Sequence, residues 1–293
     1  MKKVHKSAMF AALAGTTAAV VALSISAGTA SSENLAEPGP LVAGAAKVDL
    51  AAGKITRPSE EYFPTQQEHE AIFNAHTLAI ANCAERNGIA YHYGEIIPET
   101  ETDRDYGLWV PAAAKQAGYA PVESEEKKQA VAETLSGESD VEISDADFAK
   151  LEQNCANDPD VLRLTEHKGS GPWSEGLGNA WTAFQSSDVY NTIRNEWAKC
   201  LSGNGIDAAS DTRTLDAAVP RDAYLTSSAA TRDVAIVDAN CKQSIDMIQR
   251  LADLHAAYEA PVLDEWSSEL SALHDKYEQQ VADAEAYLAK NGH

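Results

Sequence analysis

The stretch "CAERNGI" at residues 83–89 returns as "CLSGNGI" at residues 200–206. Each gives a cysteine, three variable positions and then Asn-Gly-Ile. Glycine reaches the left-handed backbone region without a Cβ clash, so each phrase predicts a helix that stops shortly after its cysteine. A second cysteine follows each copy, in "EQNC" at Cys155 and "DANC" at Cys241. The pattern predicts a mainly α-helical chain in which a helix–loop–helix unit occurs twice.

Four cysteines in an exported chain are normally oxidised in pairs. The expected pairing staples each copy once, Cys83 to Cys155 and Cys200 to Cys241, while the two other pairings stay open on sequence alone. Closing loops of this size contributes about 4 kcal/mol per bond in the chain-entropy description. A structural zinc site would need close pairs such as Cys-x-x-Cys, and the chain has none. A catalytic thiol would need a spare cysteine beside a histidine, and the even count argues against one. We therefore expect no metal ligands and no cysteine nucleophile.

Export is expected from the N-terminus. Lys2, Lys3 and Lys6 precede the apolar run "AMFAALAGTTAAVVALSISA", and the small-residue tail "AGTASS" follows. This is the pattern of a signal peptide over residues 1–30, cleaved after Ala30. The run is rich in small and hydroxylated residues, unlike a stable membrane span. The first cysteine is Cys83, so no lipid anchor is expected at the cleavage point.

The net charge is −22, and residues 1–30 hold three lysines and no acid, so the remainder carries −25. Such a surface repels phosphate backbones and anionic lipid heads, so neither nucleic acid nor membrane is expected as a partner after cleavage. Solubility in an exterior medium accounts for the charge.

Alanine is abundant, aromatics are 7%, and no run alternates convincingly with period two. Residues 31–64 hold four prolines and read as a disordered or extended lead-in. A first helical unit is expected over 65–166. It opens at Thr65 with Glu68 three positions on, a reciprocal capping pair, and Gly88 should stop its first helix. A short helix over 112–116, another over 125–135 and a capped start at Ser144–Asp147 follow. Gly169, Gly171, Gly176 and Gly178 make residues 167–179 the expected linker. No strand precedes them and no Lys-Ser pair follows, so dinucleotide and P-loop templates fail and no cofactor is expected.

The second helical unit is expected over 180–293. Val189, Tyr190, Ile193, Trp197, Cys200 and Leu201 fall on helical spacing, and a long tract runs from about Ser228 onward. Within it Leu263, Trp266, Leu270, Leu273, Tyr277, Val281 and Leu288 form a seam that suits internal packing. Pro261 predicts two helices or a kink at that point.

Other chemical signals are thin. His69 and His76 are seven apart, about 10 Å along a helix axis, too far to grip one ion together. His255 and Glu259 are four apart and could pair, and a solvated helix face explains them equally well. The acidic run near Asp140 lacks the glycine and glutamate of a calcium loop. No catalytic residues are assigned. The long loop "DRDYGLWVPAAAKQAGYAP" sets Tyr106, Trp109 and Tyr119 among prolines and glycines. These three are the candidate binding loop, with an aromatic plug over the first unit's core as the favoured reading.

"EWAKCLSGNGI" and "VAIVDANCKQSIDMI" resemble the Trp-x-x-Cys and Asp-x-x-Cys helices of uncharacterised exported actinobacterial proteins. Trp197, Cys200, Gly205, Asp238 and Cys241 carry the resemblance, together with Cys83, Gly88, Tyr106, Gly107, Leu108, Gly118 and Tyr119. Ile89 and Ile206 stand where an aromatic commonly follows the glycine. The resemblance implies export and paired cysteines, with no named activity. The expected function is that of an exported, non-enzymatic protein that binds a partner protein at the cell envelope. The rival is an envelope hydrolase acting on cell-wall or peptide substrates without a readable motif.

Overall fold

Several helix starts in this chain are written by side chains that satisfy orphan amides. In the computed structural model, which describes residues 36–89, 91, 102–122, 143–166, 169–211 and 215–291, Thr65 accepts from the Glu68 amide while the Glu68 carboxylate accepts from the Thr65 amide at 2.6 Å. This opens α1, Gln66–Arg86. The short helix after Trp109 is α2, Pro111–Ala117. Ser144 caps α3, Asp145–Cys155, and Asp158 caps α4, Pro159–Leu164. Then come α5, Pro172–Ser186, and α6, Asp188–Gly203. Ser228 caps α7, Ala229–Ser244, followed by α8, Met247–Glu265, and α9, Ser267–Asn291. The expected signal peptide and the helix expected over 125–135 lie outside the described residues.

The lead-in expected over 31–64 is ordered from residue 36 onward, contrary to its composition. Lys47–Asp49 (β1) and Lys54–Thr56 (β2) pair antiparallel, with Val48 opposite Ile55, and Pro58–Tyr62 forms a 3-10 helix. Apolar anchors explain the order: Ala46 and Ile55 are buried in the largest core. We call residues 36–62 the strap.

The strap lies along α8, where residues 251–259 are all buried. Pro261 sits inside α8, which runs on through it to Glu265 and does not divide there. Proline cannot donate to the carbonyl four residues back, and that carbonyl, Ala257 O, accepts instead from Gly39 N at 2.7 Å. The helix breaks elsewhere, at Asp246 with φ 53° and at Trp266. Asp253 holds the strap from below, accepting from Gly44 N at 2.9 Å and Ala46 N at 3.0 Å.

The glycine-rich stretch is helix rather than linker from Pro172 on. A Cβ at Gly176 would lie 2.8 Å from the Val262 side chain, so glycine lets α5 approach α8 closely. The cores do not follow the expected division at residues 167–179 either. One core gathers the strap, the aromatic loop around Tyr106 and helices α5 to α8. A second gathers α1, α3, α4 and the far end of α9 through Ala284 and Tyr287. The start of α9 meets Trp173 through Leu270, with Leu263 beside it, so the predicted seam packs internally along its length.

Candidate functional site

The two cysteine pairs are joined as Cys83–Cys155 and Cys200–Cys241, with no free cysteine. The repeated phrase yields the same helix end twice. Gly88 and Gly205 take φ 64° and 73°. Ile89 N donates to Ala84 O at 2.9 Å, and Ile206 N donates to Leu201 O at 3.1 Å. The Asn87 amide donates to Cys83 O at 2.8 Å and the Asn204 amide to Cys200 O at 2.9 Å.

Beside the second staple lies a buried polar network. Lys242 and Asp238 are both fully buried, with Nζ 3.3 Å from Oδ1. Asp238 also accepts from Trp197 Nε1 and Tyr119 OH, each at 2.8 Å, and from Ala217 N at 2.9 Å. Lys242 Nζ donates to Leu108 O at 2.6 Å, lies 3.7 Å from Asp216 and sits 5.3 Å from the centre of the Trp197 ring. Asp216 accepts in turn from Leu108 N at 2.7 Å and from Tyr224 OH at 3.2 Å. Burial and the neighbouring Asp238 carboxylate push the Tyr119 hydroxyl well above the usual phenol range. Gly107 makes the join geometrically possible: its φ is 72°, and a Cβ there would lie 2.2 Å from Leu215 O.

A second network sits where the strap crosses α8. His255 Nε2 lies 3.2 Å from Glu259 Oε1, and its Nδ1 lies 3.2 Å from Tyr106 OH. The tautomer that satisfies both contacts carries its proton on Nε2 and accepts from the tyrosine. Ser59 donates to the other Glu259 oxygen at 2.7 Å. Arg57 approaches Glu259 at 3.6 Å and pairs with Glu60 at 2.6 Å and Asp105 at 2.7 Å. The His255 ring stacks on Phe184 at 4.8 Å with planes 17° apart, and Trp181 also lies 4.8 Å away. Burial, helped by the Arg57 charge, pushes the His255 pKa down to about 3. Burial raises that of Glu259, against the pull of Arg57 and Ser59. The order Ser59–Glu259–His255–Tyr106 is not that of acyl transfer, because the hydroxyl bonds the carboxylate and not the imidazole.

The candidate binding residues Tyr106, Trp109 and Tyr119 are exposed by no more than 2%. They fill the core built by α5 to α8, not that of α1, and two of their three polar atoms serve the networks just described. Trp109 Nε1 donates to Asp103 O at 2.6 Å. His255 and Glu259 belong to a buried face and not to a solvated one, because the strap covers that side of α8. His69 pairs with Glu166 at 3.2 Å, whereas His76 stands near Thr165.

Sequence reasoning missed Lys242, Asp216, Arg57 and Ser59. A signal existed for Lys242. On a helix it lies about 100° round from Cys241, and Asp238 about 60° round on the same side, at 100° per residue. An acid and a base flanking a stapled, buried cysteine on one side are placed for an internal pair. Asp216, Arg57 and Ser59 sit in irregular segments whose course no local pattern gives.

Among the described residues no group of three or more His, Cys, Asp or Glu is placed to hold a metal ion, and no helix is long and apolar enough to cross a membrane. Comparison with family models, with curated proteins and with solved structures finds no match.

Proposed function

We propose that the chain is an exported, non-enzymatic helical protein that binds a partner protein at the cell envelope. One observation carries this reading: the ionisable side chains of the two buried networks are occupied by each other and by neighbouring segments. Lys242, Asp238, Asp216, His255 and Glu259 each meet protein partners and are buried. They act as fasteners between segments far apart in sequence. Two disulfides suit an oxidising compartment outside the cytoplasm. The strongly acidic exterior then meets a protein partner more readily than nucleic acid or an anionic lipid surface.

The test is cross-linking on intact cells that export the chain, followed by identification of the attached protein. A single dominant partner, recovered again by pull-down with the purified chain, supports the reading. Turnover of peptidoglycan or peptide substrates by the purified chain overturns it in favour of an envelope hydrolase.

A further inference from the structure

The two staples share a sequence phrase and a helix end but differ in shielding. Cys83 and Cys155 are exposed by 1% and 2%. The Asn87 amide nitrogen stands over both sulfurs, 3.6 Å from Cys83 Sγ and 4.0 Å from Cys155 Sγ. In the second staple Cys241 is equally sealed at 3%, and Asn204 stands 4.0 Å from its sulfur. Cys200, in the last turn of α6, is only half-buried.

We infer that Cys200–Cys241 is a redox-labile joint, reduced selectively in the folded protein, while Cys83–Cys155 is a permanent structural bond. Exchange requires a thiolate to reach one sulfur, and Cys200 is the least buried of the four cysteines. A dithiol reductant attacks Cys200 Sγ, forming a mixed disulfide there. The sulfur–sulfur bond breaks and Cys241 leaves as a thiolate, which takes a proton. The second thiol of the reductant then displaces Cys200, and the reductant departs as its own disulfide. Two electrons pass to the protein and two protons end on its cysteines.

The joint lies against the buried network. Cys241 stands between Asp238 and Lys242 on α7, and Cys200 is one turn beyond Trp197 on α6. Trp197 spans the two helices through its 2.8 Å bond to Asp238. Cutting the staple therefore loosens the helix pair that holds Asp238, Ala217 and the aromatic loop. This inference is independent of any envelope partner.

The test uses the intact folded chain under graded dithiothreitol, with free thiols blocked by iodoacetamide and located by peptide mass spectrometry. Cys200 and Cys241 should be labelled about tenfold or more before Cys83 and Cys155. Labelling of both pairs together, or of Cys83 and Cys155 first, overturns the inference. Hydrogen exchange on the selectively reduced protein gives the second readout. The Ala217 amide, which donates to Asp238, should exchange about tenfold faster while the Ile89 amide is unchanged. An unchanged Ala217 amide overturns the coupling to the network.

Discussion

The two stapled helix pairs have the same ends and opposite interiors. Three residues before the first cysteine of each pair stand Ile80 and Trp197. Three before the second stand Glu152 and Asp238, and one after it Ala156 and Lys242. In the first pair Ile80 is buried among apolar neighbours, while Glu152 and Ala156 face solvent. In the second pair the corresponding acid and base are both fully buried. A helix end is a local device, repeated wherever its short phrase is repeated. An interior is not local, because it depends on which distant segment covers the helix.

The covering segments explain the contrast. The loop carrying Tyr106 to Tyr119 lies between the cysteines of the first pair, yet it closes over the second. It brings carbonyl and amide groups, Leu108 O and Leu108 N, that arrive in the core as backbone and need polar partners there. Lys242 and Asp216 supply them. The first pair receives instead the apolar end of α9, so it needs no such partners.

The largest break in the comparison comes from substituting matched positions. Lys242→Met leaves Asp238 and Asp216 buried without their cation. Removing one member of a buried pair costs about 3–5 kcal/mol. Glu152→Gln, at the position matching Asp238, changes an exposed side chain and should stay within about 0.5 kcal/mol. Urea unfolding followed by circular dichroism measures both. Similar losses from the two variants would show that the interiors are alike after all.

A second contrast is in acid. His255, with its pKa near 3 in the fold against 6.5 when free, binds fewer protons folded than unfolded between those values. Stability therefore rises with pH across that window and is lost as pH falls from 6.5 towards 3. At pH 5 the loss is about 2 kcal/mol from this group, at 1.36 kcal/mol per pH unit. Glu259 acts in the opposite sense, since its raised pKa means that acid relieves a buried charge. Arg57, Asp105 and Tyr106 also face the pair. His255→Gln keeps a polar group beside Glu259 and should flatten the dependence between pH 7 and 5 by about 2 kcal/mol. Chemical denaturation at a series of pH values tests this, and an unchanged slope would assign the acid sensitivity elsewhere. Hydrogen exchange should place the acid loosening in α8, with α1 unaffected.

Much of the fold is legible in the sequence because its signals are short-range. The caps at Thr65 and Ser144, the stops at Gly88 and Gly205, and the seam from Leu263 to Leu288 all act within a few residues. The strap reads as a disordered or extended lead-in because its prolines and small residues carry no local sign of the surface on which they dock. Gly39 finds a free carbonyl only because Pro261, more than two hundred positions away, has vacated it. Gly176 reads as part of a linker for a related reason. A glycine that lets helices touch and a glycine that frees a linker are the same letter. His255 and Glu259 keep ordinary i,i+4 spacing whether water or Ser59 covers them, so their burial could not be read from α8 alone.

The finest test addresses what the pairs share. Asn87 and Asn204 occupy the same cap, each donating its amide to the carbonyl four residues back. A hydrogen bond of this kind contributes about 0.5–1.5 kcal/mol. Asn87→Ala and Asn204→Ala should therefore destabilise the protein by equal amounts within that range. The helix end is local, so the apolar interior behind one and the charged interior behind the other should not alter the cost. Unequal losses in matched urea titrations would mean that the interior reaches the cap, with Asn87 doing more because it also stands over both sulfurs of its staple.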